Sequence, residues 1–257
     1  MLIFIGALVG AFFGGFYGLI IGTAAAYAIS WSLRRSVLGS LQVVQSRLLD
    51  STFSIMGALC KADSVVTRDE IRVVEGIFDQ LRLSGVARTE AKAAFGRGKA
   101  ADFDLEAAAD DFAGIARGRL PLVQLFLQLQ CMAIAADGKV HPAEHDMLVR
   151  VALRLGLGER DVAQLEALLR AATGGASAGP GVPPSASRLE DAYQALGLTP
   201  DASPAEIKRA YRKLMSQNHP DKLAARGLPE SMRPVAEQRS REINTAYDLI
   251  KLARDMV

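Results

Sequence analysis

The 257-residue sequence predicts an all-α protein: a single N-terminal transmembrane helix, a helical middle with an internal repeat, a flexible linker and a C-terminal helical hairpin. Three observations predict it. The first 33 residues carry no Asp, Glu, Lys or Arg. From Ser36 onward apolar residues recur at three- and four-residue spacing with little strand-like alternation. Near the C-terminus, helix-capping signatures flank a basic amphipathic segment that a proline stops. The boundaries fall at 1–35 for the anchor, 36–173 for the middle, 174–187 for the linker and 188–257 for the last domain.

Composition narrows the class. A formal charge of +2, with basic residues dispersed among acidic ones, leaves no basic patch for nucleic acid. Cys60 and Cys131 each sit in an alanine-rich apolar run, the pattern of buried thiols in a reducing compartment and not of a disulfide or zinc framework.

The apolar run from Leu2 to Leu33 exceeds the ~20 residues that a helix needs to cross a bilayer core. No positive residue precedes it and Arg34-Arg35 follow, so it reads as an uncleaved span with a periplasmic N-terminus and cytoplasmic C-terminal domains. Tyr27 and Trp31 fall at the inner interface. Gly6, Gly10, Gly14, Gly18 and Gly22 recur every fourth residue, a stripe that lets a second backbone approach closely and predicts a homodimer through the span.

Within the middle, Ala62-Asp63-Ser64 to Glu70 and Ala136-Asp137-Gly138 to Glu144 superpose at an offset of 74, as do Leu81 with Leu155 and Leu83 with Leu157. Each copy predicts helix, tight turn, helix, and the two hairpins bury their apolar faces on each other. Thr67 and Glu70 form a capping box. Pro142 and Glu144 take the first and third helical positions of the second copy. These caps account for both glutamates, so Asp63, Glu70, Asp137 and Glu144 are only weak metal ligands and no cofactor is expected. His141-Pro142-Ala143-Glu144-His145 matches the H-x-x-E-H pattern of zinc peptidases, but Pro142 leaves His141 outside the regular helix, and no hydrolase is expected. The repeated turn resembles the TerB family over about residues 50 to 172. That resemblance implies divalent-ion binding at the four carboxylates, and the domain is otherwise expected to choose an unknown client or sense a signal.

The stretch Gly174 to Ser187 is rich in Gly, Pro and Ser and predicts a coil spanning on the order of 20 Å. After it, Leu189 to Leu196 forms a short helix ended by Gly197, and Ser203-Pro204-Ala205-Glu206 opens the next with a capping box. On that helix Ile207, Tyr211 and Leu214 share one face while Lys208, Arg209, Arg212 and Lys213 occupy the opposite arc. Pro220 restricts His219 to extended geometry and stops the helix. Ile243, Ala246, Tyr247 and Ile250 form the stripe of a final helix, which either begins at Pro234 or has a distorted first turn there.

Tyr211-Arg212-Lys213-Leu214, then His219-Pro220-Asp221-Lys222, then Glu242-Ile243-Asn244-x-Ala246-Tyr247 resemble the J-domain of DnaJ-type co-chaperones over about residues 188 to 255. The resemblance implies a protein that is not itself an enzyme. It binds a DnaK-type chaperone through Lys208, Arg209, Arg212 and Lys213 and stimulates that partner's ATP hydrolysis through His219, Pro220 and Asp221. The sequence departs from the common pattern at Leu223, in a long segment from Leu223 to Arg233, and at Ser240. With the anchor and the TerB-like middle, the whole resembles membrane-anchored J-proteins of the bacterial inner membrane. The alternative is a metal- or envelope-stress-sensing module that uses its J-domain only to recruit the chaperone.

The glycine stripe carries its own prediction. Replacing Gly10 and Gly14 together by Leu lowers the self-association signal in a membrane two-hybrid or crosslinking assay, because two isobutyl groups hold the backbones apart. An unchanged signal removes the stripe as a contact.

Overall fold

The computed structural model describes residues 23, 24, 26, 27, 43–62, 67–136, 140–173, 185–225 and 228–256. The chain divides into two compact units, Met1–Arg47 and Leu48–Val257. In the first, all described residues are helical. Apart from residues 23, 24, 26 and 27, the expected span lies outside the described residues, as do Gly6, Gly10, Gly14, Gly18 and Gly22. Among the described residues no helix is long and apolar enough to cross a membrane.

In the second unit every regular element among the described residues is helical. Residues 48–59 form α1, followed by α2 (Arg68–Gln80), α3 (Gly85–Gly98), α4 (Leu105–Ala116), α5 (Leu120–Ile134), α6 (Pro142–Arg154) and α7 (Glu159–Thr173). The repeat is visible as two helical triplets, α1–α2–α3 and α5–α6–α7, with α4 between them. The turn after α2 matches the turn after α6 in detail. Leu83 N–H donates to the Phe78 carbonyl and Leu157 N–H to the Ala152 carbonyl, both at 2.9 Å. Arg82 and Gly156 occupy the same position with φ of 55° and 79°. Glycine adopts that conformation freely and arginine does not.

The caps form as the sequence implies. The Thr67 hydroxyl accepts from Glu70 N–H at 3.1 Å, and Thr67 N–H donates to Glu70 Oε2 at 2.6 Å. In the second copy His141 N–H donates to Glu144 Oε2 at 2.8 Å, while His141 Nδ1 accepts from Ala143 N–H at 3.3 Å. Glu70 and Glu144 are buried. Burial, reinforced by these two carboxylates, pushes the Cys60 thiol well above its ordinary range, so it stays protonated. His145 turns elsewhere, its Nδ1 2.8 Å from Glu166 Oε1 on α7. The H-x-x-E-H residues are therefore divided between a cap and an interhelical pair. Asp63 and Asp137 lie outside the described residues.

The bundle core is built from Phe53, Phe78, Phe112 and Phe126, with centroids 4.8 Å apart for the first pair and 4.0 Å for the second. Helices α1 and α3 touch backbone to backbone. A Cβ on Gly57 would meet the Phe95 carbonyl oxygen at 2.1 Å, and one on Gly98 the Ser54 carbonyl oxygen at 1.8 Å.

The last domain comprises α8 (Ala186–Ala195), α9 (Pro204–Asn218), the short α10 (Pro220–Ala225), a 3₁₀ turn (Glu230–Met232) and α11 (Arg233–Ala253). Helix α8 begins at Ala186 rather than Leu189 because Ser185 caps it, its hydroxyl accepting from Arg188 N–H. Gly197 ends that helix with φ of 71°. Helix α11 begins just before Pro234, which settles where the proline sits: in the first turn, where no N–H is needed. Tyr211 and Tyr247 stack at 4.2 Å, and the Tyr211 hydroxyl donates to Asn244 Oδ1 at 2.9 Å, so α9 and α11 form the expected hairpin.

One arrangement was not expected from a flexible tether. The last domain is seated on the bundle. Ala167, Leu168 and Ala171 of α7 complete its core, while Leu223, Met232, Val235 and Ala236 are buried in the bundle's own apolar cluster. The Gly/Pro-rich residues 174–184 lie outside the described residues.

The close crossing of α1 and α3 gives a matched pair of substitutions. Gly98→Ala destabilises the fold by about 1–3 kcal/mol, since two backbones must separate. Gly96→Ala on the same helix meets nothing within 4 Å and stabilises it by about 0.5–1 kcal/mol. Urea unfolding of both variants measures the contrast.

Candidate functional site

Helix α9 is started by a complete capping box. Ser203 N–H donates to Glu206 Oε2 at 2.7 Å and the Ser203 hydroxyl accepts from Glu206 N–H at 3.3 Å. The Ser203 bonds, side chain first, hold the Glu206 carboxyl below the usual range. From this anchored start the helix buries Ile207 and leaves Lys208, Arg209, Arg212 and Lys213 exposed on its outer arc. Four cations on one face attract an acidic partner at a distance and lose that attraction as salt rises.

Helix α9 ends at His219, whose φ of −63° and ψ of 125° are extended, as a residue before proline requires. The sequence reading expected Pro220 to stop the helix and a loop at His219-Pro220-Asp221 to present the imidazole and the carboxylate outward. The structure instead continues directly into α10, with Pro220 as its first residue. Proline suits that position because its missing N–H has no intrahelical partner to lose. Asp221 N–H donates to His219 Nδ1 at 3.3 Å, and Leu223 N–H to the His219 carbonyl at 3.0 Å. The imidazole thus caps the short helix that follows it. The side chains of His219 and Asp221 are 49% and 69% exposed, so both remain available to a partner.

Three residues that support this corner were not singled out as site residues. Asn218 is buried and its amide donates to the Leu214 carbonyl at 2.8 Å. The Ser240 hydroxyl lies 3.0 Å from the Ala236 carbonyl and 3.2 Å from the Asn218 carbonyl, tying α11 to the end of α9. A phenylalanine at 240 has no hydroxyl to make this bond. Arg233 reaches from the start of α11 to Asp221 Oδ1 at 3.2 Å and to Glu237 Oε1 at 3.1 Å. Glu237, and then nearby carboxylates, raise the Arg233 pKa. Sequence distance hid this pair, because the loop between the two partners has no periodicity from which to infer its return.

The departures at Leu223 and in the segment after it have a shared physical reason. Leu223 is 1% exposed and packs in the cluster that contains the bundle core. Leu228 N–H closes back on the Leu223 carbonyl at 3.0 Å, and Met232 is fully buried in the same cluster. A polar side chain at 223 would be buried without a water to bond.

Among the described residues no group of three or more His, Cys, Asp or Glu side chains is placed to hold a metal ion. The corner presents an exposed cationic ridge ending in an imidazole and a carboxylate.

Comparison with known proteins agrees with this division. Residues 191–254 match the DnaJ domain family and residues 50–167 match the family described as tellurite resistance protein TerB. A helical TerB bundle carrying a J-domain defines a J-domain co-chaperone. Proteins named Co-chaperone protein DjlA are similar along most of the chain. The Shewanella oneidensis protein is 39% identical over 220 residues, 86% of this chain and 83% of its own. The Yersinia pestis protein is 38% identical over 241 residues, 85% and 83%. The Vibrio cholerae protein is 40% identical over 221 residues, 80% and 78%. The chain belongs to the DjlA co-chaperone family. No solved structure matches it.

The contact between Arg233 and Asp221 is exposed, and its loss is expected to be local. Arg233→Gln leaves the melting temperature nearly unchanged while backbone amides of α10 exchange faster with deuterium, because the second tie on that helix is gone. Unchanged exchange in α10 would remove Arg233 as a support of the corner.

Proposed function

We propose that this protein binds a DnaK-type chaperone and stimulates its ATP hydrolysis at the cytoplasmic face of the bacterial inner membrane. The observation that carries the reading is the continuity of two exposed features: the cationic arc of α9 and the His219-Pro220-Asp221 corner at its end. Lys208, Arg209, Arg212 and Lys213 dock against an acidic surface of the chaperone and mainly speed encounter. His219, Pro220 and Asp221 act at the hydrolysis step. To do so they must engage the hydrolysis-competent arrangement of the partner better than its resting one, since equal engagement shifts nothing.

The location rests on the sequence: an uncharged run long enough to cross a bilayer, with Arg34-Arg35 after it. Glycines at every fourth position support pairing of two chains through that segment, which would place two J-domains side by side. The TerB-like bundle is the part left to meet a client. Glu70 and Glu144 hold the starts of α2 and α6 through capping bonds, which favours a structural over a metal-binding use of these carboxylates.

Single-turnover ATP hydrolysis by the cognate DnaK, with the full chain in nanodiscs, tests the reading. The wild type accelerates hydrolysis, and His219→Gln abolishes the acceleration while retaining binding. Lys208→Glu with Arg212→Glu weakens association and flattens its salt dependence. Full stimulation by His219→Gln would overturn the proposal.

A further inference from the structure

The seat of the last domain on the bundle is lined by a connected set of polar groups. Gln80 Nε2 of α2 donates to Gln238 Oε1 at 2.7 Å, and Gln238 Nε2 donates to Glu242 Oε1 at 2.9 Å. Gln128 Nε2 of α5 donates to Glu242 Oε2 at 2.7 Å. Arg239 Nη1 donates to the Gln124 carbonyl at 3.2 Å. Glu242, Gln128 and Arg239 are all buried, at 5%, 1% and 7% exposure. The carboxylate of Glu242 therefore stands at a domain boundary, out of water, with two amides as its direct partners and no cation within ion-pair distance among the described residues.

This seam is not fully satisfied. Gln128 Oε1, Arg239 Nε and Ser231 Oγ, all near the boundary, are buried without a hydrogen-bond partner. Each such atom forfeits the bond that water would supply if the seam opened. Apolar burial of Leu223, Met232, Val235 and Ala236 holds the surfaces together, and the polar seam works against it. Such a balance suits a contact that opens.

We propose that the α5–α7 face of the TerB-like bundle is a reversible docking surface for the chain's own J-domain, and that ionisation of Glu242 releases it. Burial pushes the Glu242 carboxyl up to about 7 when docked, partly offset by Gln238 and by the charges of Arg239 and Arg241. Undocked, the carboxyl returns to the ordinary range near 4.5. The docked state thus holds the extra proton. Its contribution to docking is complete below the undocked value and is lost as pH rises through about 7. The groups near Glu242 are Arg239 and Arg241 on its own helix, the Cys131 thiol on α5 and the Gln80 and Gln128 amides. Arg239 is itself pushed down to about 10 by burial, so it stays a cation through this range. Elsewhere on the boundary, Arg170 of α7 bonds Asp191 of α8 at 2.8 Å and lies 3.8 Å from Glu166, the partner of His145.

Energy transfer between dyes on the full chain in nanodiscs tests this, with cysteines introduced as Asp102→Cys and Ala205→Cys in a Cys131→Ala background, so that no native thiol lies at the seam, while buried Cys60 stays unlabelled. Transfer is high at pH 6 and falls by pH 8, the docking constant changing by up to about tenfold per pH unit as one proton leaves. Glu242→Gln stays docked across the range. Gln128→Glu, which sets a second carboxylate against the first, releases at lower pH than the wild type. His145→Gln keeps the wild-type response. Transfer that is flat from pH 6 to 8 in the wild type, an unchanged response in Glu242→Gln, or a response abolished by His145→Gln would each overturn the proposal. None of these readouts involves DnaK, so they stand apart from the co-chaperone test.

Discussion

Helix α11 has to satisfy two cores at once. Its first turns put Val235 and Ala236 into the apolar cluster of the TerB-like bundle, and its later turns put Ile243, Ala246 and Ile250 into the core of the J-domain. A helix is rigid over this length, so the position of one set fixes the other. The angle at which the J-domain sits on the bundle, the burial of Leu223 and the polar seam through Gln238, Arg239 and Glu242 all follow from that constraint. The same helix also carries Arg233 and Ser240, which hold the His219-Pro220-Asp221 corner from its other side. Seat and corner are thus built on one rod.

Much of the architecture was legible because it is local. Capping boxes, the proline-stopped end of α9 and the cationic arc of Lys208, Arg209, Arg212 and Lys213 depend on residues within one or two turns of each other. The repeat was legible because the offset of 74 preserves the residues that make the turn, down to the bonds of Leu83 and Leu157. The seat of the J-domain was not. It depends on pairs more than a hundred residues apart, such as Gln128 with Glu242, and no periodicity ties those positions together. The linker composition spoke for freedom, whereas the surfaces on either side are complementary. Leu223 and Ser240 could be seen as departures from a pattern, but their reasons lie in neighbours that only the fold supplies.

The seat also bears on how the bundle and the J-domain are arranged together. A J-domain on a loose tether samples many positions relative to the bundle. Seated, it presents the ridge of α9 in one orientation relative to the bundle. The apolar contacts of Leu223 and Met232 and the partly unsatisfied seam oppose each other, so small changes at the seam matter more than their area suggests.

The two copies of the repeated turn differ in one more respect. A threonine hydroxyl accepts at the first cap, and an imidazole nitrogen accepts at the second. A hydroxyl carries a donor and two lone pairs on one atom, while an imidazole nitrogen presents a single lone pair in the plane of its ring. Two turns of nearly identical shape have therefore diverged in the chemistry that holds them: at the first the capping hydroxyl also donates to Glu70 Oε2 at 2.8 Å, while at the second the ring nitrogen accepts from Ala143 N–H.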